Sequence, residues 1–93
     1  MDDARLKQRV QKIAESVKNV RFEDLCILLD NHIKPLCEAR GLSYDHRNSG
    51  GSHHVFTVGS KTFNLAKPHG TSLLKKPYVD SFLEAMEQIN LYE

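Results

Sequence analysis

The sequence has few of the residues that mark membrane anchors, disulfide frameworks or strongly charged domains. Its 93 residues include no Trp and only 2 Cys, and 13 Lys and Arg nearly balance 12 Asp and Glu, which leaves a net charge of +1. No apolar run approaches the ~20 residues of a membrane span or the core of a signal peptide. Bulk charge therefore does not indicate a nucleic-acid partner. We expect one compact domain that is soluble and cytoplasmic, with no membrane association.

The cysteines and histidines do not form a recognisable metal or redox motif. Cys26 and Cys37 lie in one region of helical periodicity, and their spacing separates them by roughly 16 Å along a helix. A disulfide would require a bend between them, so reduced thiols are expected. The sequence has no Cys-x-x-Cys pair, no helical His-x-x-x-His and no glycine-rich phosphate loop between a strand and a helix. We therefore expect no metal and no cofactor.

Apolar residues recur at helical spacing in three parts of the chain. The first pattern, in residues 2–17, predicts a helix with one apolar stripe that packs on the domain or on a neighbouring subunit: Leu6, Val10, Ile13 and Val17. The second runs from Phe22 to Arg40, with a kink around Asn31 to Pro35 because Pro35 lacks a backbone donor. The third predicts a closing helix from Pro77 to Asn90.

The middle of the chain has strand and turn signals. Gly41–Tyr44 predicts the start of a short strand, and Asp45–Gly51 is polar and glycine-rich, which predicts a mobile loop. The runs His53–Val58 and Lys61–Ala66 predict a hairpin whose tight turn is Gly59–Ser60.

That turn determines which side chains share a face of the sheet. If Val58 pairs with Lys61, alternation leaves His53 on the exposed face and puts His54 on the face nearer the core. Helices, then a hairpin-centred antiparallel sheet, then a helix indicate an α+β fold with helices on one face of the sheet. The expected core face contains His54, Phe56, Val58, Phe63 and Leu65.

The most informative stretch is Gly50-Gly51-Ser52-His53-His54, where a glycine turn delivers two adjacent imidazoles to a strand. Consecutive strand residues point to opposite faces, so the pair is poorly suited to hold one ion. Imidazole, with an ordinary pKa of about 6.5, suits either proton transfer of RNA cleavage, from a 2′-hydroxyl or to a leaving 5′-oxygen. The glycine backbone allows close approach of a phosphate, and Ser52 offers a hydrogen bond. Further candidates for binding the substrate phosphates follow the second strand: Lys67, His69, Lys75 and Lys76.

The order of these motifs resembles the HicA toxins of bacterial toxin–antitoxin systems, a family also described as YcfA-like. The resemblance covers residues 20–91. It is carried by Gly51-Ser52-His53-His54-Val55-Phe56, Asn64-Leu65, Lys75-Lys76-Pro77-Tyr78 and Asn90-Leu91, and by the opening Val20-Arg21-Phe22-Glu23-Asp24-Leu25.

The resemblance implies a domain like the double-stranded-RNA-binding fold, with a three-stranded antiparallel sheet, in residues 20–93 after an accessory helix in residues 1–19. It implies an mRNA interferase, a metal-independent endoribonuclease that acts without the ribosome and is neutralised by a HicB-like antitoxin. No DNA partner is expected for this chain alone. In that family the Gly-Ser-His motif supplies the catalytic histidine, which corresponds to His53, with His54 as the next candidate and Gly51 and Ser52 shaping the turn.

Two other functions fit the same residues. A non-catalytic RNA-binding module would use the turn and the lysines to hold phosphates, with His53 only as a hydrogen-bonding group. A protein-interaction domain would bind its partner through the N-terminal apolar stripe and the exposed sheet face. Products with a 2′,3′-cyclic phosphate distinguish catalysis from the first alternative, and absence of RNA affinity at physiological salt distinguishes the second.

Overall fold

Helices precede and follow a single sheet in the computed structural model, which describes residues 1–93. Helix α1 spans Asp3–Glu15 and is followed by a 3-10 turn at Val17–Asn19. A bent helical stretch then consists of α2 (Phe22–Leu28), a π-helical turn (Leu29–Ile33) and α3 (Lys34–Ala39). Strands β1 (Tyr44–Gly50), β2 (His53–Val58) and β3 (Lys61–Ala66) lead to the closing helix α4 (Lys76–Gln88). The α+β class and all three helical regions predicted from the sequence are confirmed.

The π-helical turn lies where the sequence predicts a kink. The backbone N–H of Lys34 donates to the carbonyl of Leu29, five residues back instead of four. Pro35, which follows immediately, has no N–H to donate and its ring would crowd the carbonyl of Asn31 in a regular helix. Widening the preceding turn accommodates the proline without separating α2 from α3. Such turns are frequent at functional sites.

The sheet is antiparallel in the order β1-β2-β3. The pairing of β2 with β3 runs from His53 opposite Ala66 to Val58 opposite Lys61, which confirms the predicted register. Gly59 has a φ of 62° in the connecting turn. A positive φ at the first turn position favours glycine, which is why the sequence predicts this tight turn.

Strand β1 corrects the sequence prediction, which placed a mobile loop at Asp45–Gly51. Tyr44–Gly50 instead form a strand that pairs with β2, from Tyr44 opposite Val58 to Gly50 opposite His53. The register shifts between Asn48 and Gly50, which marks a β-bulge. Polar residues are compatible with a strand here because β1 is an edge strand whose outward side chains meet solvent. The prediction of a loop was wrong because the polar, glycine-rich composition of this segment is also typical of loops.

One core of 22 buried residues joins the inner sheet face to the helices. Phe56, Val58, Phe63 and Leu65 are buried, as predicted, and His54 is partly exposed beside them. No residue on the opposite sheet face is buried, so the helices cover one face only. No helix combines the length and the apolarity that crossing a membrane requires.

Helix α1 belongs to this same core. Leu6 and Val10 are 0% exposed, and the Arg40 guanidinium joins the helix to the rest of the domain by donating to Asp3 at 2.7 Å. The N-terminal stripe therefore packs on the chain's own domain. This leaves Leu6 and Val10, the first two residues of the stripe, inaccessible to the partner protein that the interaction hypothesis requires.

Candidate functional site

The glycine turn between β1 and β2 is held by short polar contacts. Gly50 and Gly51 have φ values of 142° and 55°, a region that disfavours side chains. The Asn48 side chain closes the turn, because its Oδ1 accepts from the Gly50 N–H at 2.9 Å and its Nδ2 donates to the Gly51 carbonyl at 3.2 Å. The carbonyl of Ser52 accepts from the Lys67 N–H at 3.0 Å. This last hydrogen bond connects the end of β3 to the turn that precedes β2.

His53 is the exposed member of the histidine pair, as predicted. It lies opposite Gly50 on one side and Ala66 on the other. Its imidazole has no hydrogen-bond or ion-pair partner within the chain, so both ring nitrogens are free to contact a ligand.

His54, by contrast, ends a chain of hydrogen bonds on the inner face. Its Nδ1 lies 2.8 Å from Nε2 of His46 on β1. Nδ1 of His46 lies 2.9 Å from Oδ2 and 3.0 Å from Oδ1 of Asp30 in the π-helical turn. The Tyr44 hydroxyl donates to Oδ1 of Asp30 at 2.8 Å. Side chains from the π-helical turn, β1 and β2 therefore form one hydrogen-bonded row, which consists of Asp30, His46 and His54.

Aromatic packing holds the two imidazoles of this row in place. The His46 ring stacks on Phe56 with centroids 4.1 Å apart and planes inclined by 20°. The His54 ring lies 5.2 Å from Phe22, the first residue of α2. Since Phe56 and Phe22 are themselves buried in the core, the ring orientations are fixed by packing as well as by hydrogen bonds.

The surroundings change the acidity of several groups. Burial, and secondly the proximity of His46, lower the pKa of His54, although the charge of Asp30 acts in the opposite direction. Burial and the hydrogen bond to Asp30 raise the pKa of Tyr44. Burial, with the nearby carboxylates, raises the pKa of Cys26 to about 11. At neutral pH the Cys26 thiol is therefore protonated, which does not suit a nucleophile.

An open cleft adjoins the row on the side of β1. It has a volume of about 470 Å³ and is lined by Asp30, Asn31, Lys34, Tyr44, Asp45 and His46. The carboxylate and the first imidazole are thus reachable by solvent.

The structure separates the four predicted phosphate ligands. Lys67 lies beside the glycine turn, with its ammonium 3.3 Å from Glu23. Lys75 and Lys76 lie at the other end of the loop that follows β3, where Lys76 pairs with Asp80 at 2.8 Å and Lys75 is exposed at the start of α4. His69 is exposed within that loop. Of the four, only Lys67 contacts the turn directly, through the hydrogen bond from its backbone N–H to the Ser52 carbonyl.

A second cationic surface lies on α1 and was not singled out from the sequence. Arg9 and Lys12 line two clefts of about 200 Å³ each; one continues to Arg5 and the other to Arg21. None of these four cations makes an ion pair within the chain. Arg21 immediately precedes Phe22, whose ring lies 5.2 Å from the His54 ring.

Asp30 and His46 are the site residues that sequence reasoning missed. His46 fell in the segment predicted as a loop, and Asp30 is a single carboxylate in a helical pattern. A usable signal was the alternation of Tyr44, His46 and Asn48 on one side of a strand-length run directly before the hairpin.

Comparisons with family models, with curated proteins and with solved structures returned no match for this chain. The residues also contain no group of three or more His, Cys, Asp and Glu side chains arranged to hold a metal ion.

Proposed function

We propose that this protein is an endoribonuclease in which a histidine of the His53-His54 pair transfers protons during cleavage of mRNA, without a metal ion. The observation that carries the proposal is the presence of two imidazoles at the glycine turn, each with a ring nitrogen that no group of the chain occupies. His53 is free at both nitrogens, and His54 is bonded only through Nδ1.

The reaction needs no group that the chain lacks. An unprotonated imidazole nitrogen takes the 2′-hydroxyl proton, the 2′-oxygen bonds to phosphorus, and the bond from phosphorus to the 5′-oxygen breaks. The leaving oxygen receives one proton, from the same imidazolium or from solvent. The products are a 2′,3′-cyclic phosphate and a 5′-hydroxyl.

RNA as the substrate is supported by the fold and by charge. The order of helix, three antiparallel strands and helix in residues 20–93 is compatible with the double-stranded-RNA-binding fold that the sequence resemblance implies. The unpaired cations of α1 and Arg21 offer phosphate contacts beyond the turn. That mRNA is the natural substrate, that a HicB-like antitoxin neutralises the protein and that both act in the cytoplasm are parts of the proposal that depend on the resemblance alone.

The experiment compares the purified protein with the double variant His53→Ala, His54→Ala on unstructured RNA in the presence of a chelator. We expect the intact protein to yield 2′,3′-cyclic phosphate ends and the double variant to lose about 10²- to 10⁴-fold in rate, the contribution usual for general acid–base catalysis. His32→Ala, a change of the same kind in the π-helical turn away from the pair, is the matched control and should cleave like the intact protein.

Two results contradict the proposal. Equal cleavage by the intact protein and the double variant would remove the histidines from the mechanism. Salt-sensitive RNA binding by the intact protein without any cleavage would instead identify the non-catalytic RNA-binding module, which the same cations favour.

A further inference from the structure

The row of Asp30, His46 and His54 permits only one arrangement of protons when both imidazoles are neutral. An ionised carboxylate has no proton, so the His46 nitrogen that faces Asp30, Nδ1, must donate. A neutral imidazole has a single N–H, so Nε2 of His46 must accept. The nitrogen that faces it, Nδ1 of His54, must then be the donor.

The tautomer of His54 is thereby fixed. With its proton on Nδ1, the unprotonated nitrogen is Nε2, and no hydrogen-bond donor of the chain occupies that nitrogen. An imidazole acts as a base through its unprotonated nitrogen. His53 has no hydrogen-bond partner that would select one tautomer. The two adjacent histidines therefore differ, because hydrogen bonding fixes the tautomer of His54 and leaves that of His53 open.

We propose that Asp30 and His46 are positioning residues that hold His54 in the Nδ1–H tautomer, so that His54 Nε2 is the base of the cleavage reaction. The assignment of the base rests on the proposed function, whereas the tautomer does not. Among the groups packed around His54, those that carry or gain charge are His46 from β1 and Asp30 from the π-helical turn. The contact from α2 is the apolar ring of Phe22.

The row also accounts for where the abstracted proton goes. When Nε2 of His54 takes the 2′-hydroxyl proton, the ring becomes an imidazolium that still donates through Nδ1 to His46. Transfer of that second proton to His46 places the positive charge next to the Asp30 carboxylate and leaves His54 neutral with its proton on Nε2. As Nε2 of His54 gives its proton to the leaving 5′-oxygen, His46 returns its extra proton to Nδ1 of His54, so one turnover restores the starting state of the row.

A second added proton is incompatible with the row. With both imidazoles charged, all four ring nitrogens carry protons, and two N–H groups would face each other across 2.8 Å. The bond between His46 and His54 must then break. The base is therefore lost at acid pH by two routes, protonation of Nε2 and disruption of the row.

The test combines nitrogen NMR of the imidazoles with steady-state kinetics on the full chain. At about pH 8, above the ordinary imidazole pKa of about 6.5, we expect the proton of His54 on Nδ1 in the intact protein. In Asp30→Asn we expect the amide N–H₂ to face His46 and the amide oxygen to accept from Tyr44. This reverses the tautomer of His46 and hence of His54, and kcat should fall about 10²-fold with little change in KM.

Glu87→Gln is the matched control, because Glu87 is an exposed carboxylate of α4, away from the row, whose side chain has no hydrogen-bond partner; it should leave both the tautomer and kcat unchanged. A proton on Nε2 of His54 in the intact protein overturns the inference, and this measurement requires no variant to fold. So does a value of kcat for Asp30→Asn equal to that of the control. If the intact protein shows the Nδ1–H tautomer but cleaves no RNA, the proposed function is refuted and the tautomer assignment stands.

Discussion

Helix α1 should be a structural part of the domain, and Leu6→Ala tests this directly. Leu6 is 0% exposed, so the substitution removes buried methyl groups and leaves a cavity. Such changes cost about 2–5 kcal/mol, depending on how far the site collapses. For 93 residues, total stability is on the order of 5–14 kcal/mol. One truncation on α1 therefore removes a large fraction of the stability of the whole domain.

Urea unfolding followed by circular dichroism measures this loss. With a slope of about 1–2 kcal/mol/M, the midpoint should fall by at least about 1 M. Lys7→Ala, at the exposed neighbouring position, is the control and should stay within about 0.5 kcal/mol of the intact protein. If Leu6→Ala shifts the midpoint no more than Lys7→Ala does, then α1 is a separable arm, and the packing argument is wrong.

Two further predictions concern acidity and salt. Because burial and His46 lower the pKa of His54, the unfolded chain binds more protons than the folded one just below the ordinary imidazole pKa of about 6.5. Stability should therefore decrease as the pH falls through this window, and melting curves of His54→Gln should depend less on pH there; an equal dependence contradicts the prediction. Replacing Arg9 and Lys12 by Gln should weaken RNA binding and reduce the slope of log affinity against log salt by about 0.7 for each lost phosphate contact. Lys61→Gln, whose ammonium is paired with Glu84 at 3.0 Å, is the control, and an unchanged slope in the α1 variant would show that this surface does not contact RNA.

The β2–β3 hairpin was predictable because its determinants are local. Gly59 occupies the turn position that needs a positive φ, and the alternation of apolar residues in the two flanking strands agrees with the pairing that this turn imposes. A bulge beyond Gly51 would have reversed the faces of His53 and His54. The bulge lies instead in β1, between Asn48 and Gly50, so the predicted faces were preserved.

The hydrogen-bonded row was not predictable because it depends on contacts distant in sequence. Asp30 and His46 meet only when β1 pairs with β2 and the π-helical turn lies beside that edge. Neither condition leaves a strong local signal, because β1 is polar and one carboxylate in a helical pattern usually indicates a solvated face. The predicted His53 was therefore located correctly as an exposed residue, whereas the partners of His54 were absent from the prediction.

The polar character of β1 and the candidate site have a common physical origin. Asp30 lies on the helical face that carries Cys26, at the border of the core, where its partly exposed carboxylate accepts from hydrogen-bond donors. Tyr44 and His46 supply those donors from the inner face of β1. A hydrophobic strand would offer Asp30 neither of these donors, so the polar residues of β1 and the candidate site depend on the same contacts.

It follows that Asp30 contributes both to the pairing of β1 and to the tautomer of His54. A loss of activity in an Asp30 variant has two possible causes, a loosened strand or a misplaced proton. Only the position of the proton on the His54 ring separates them, because strand loosening alters stability without selecting one tautomer. The NMR measurement is therefore the decisive part of the experiment, and the kinetic measurement gives the size of the effect.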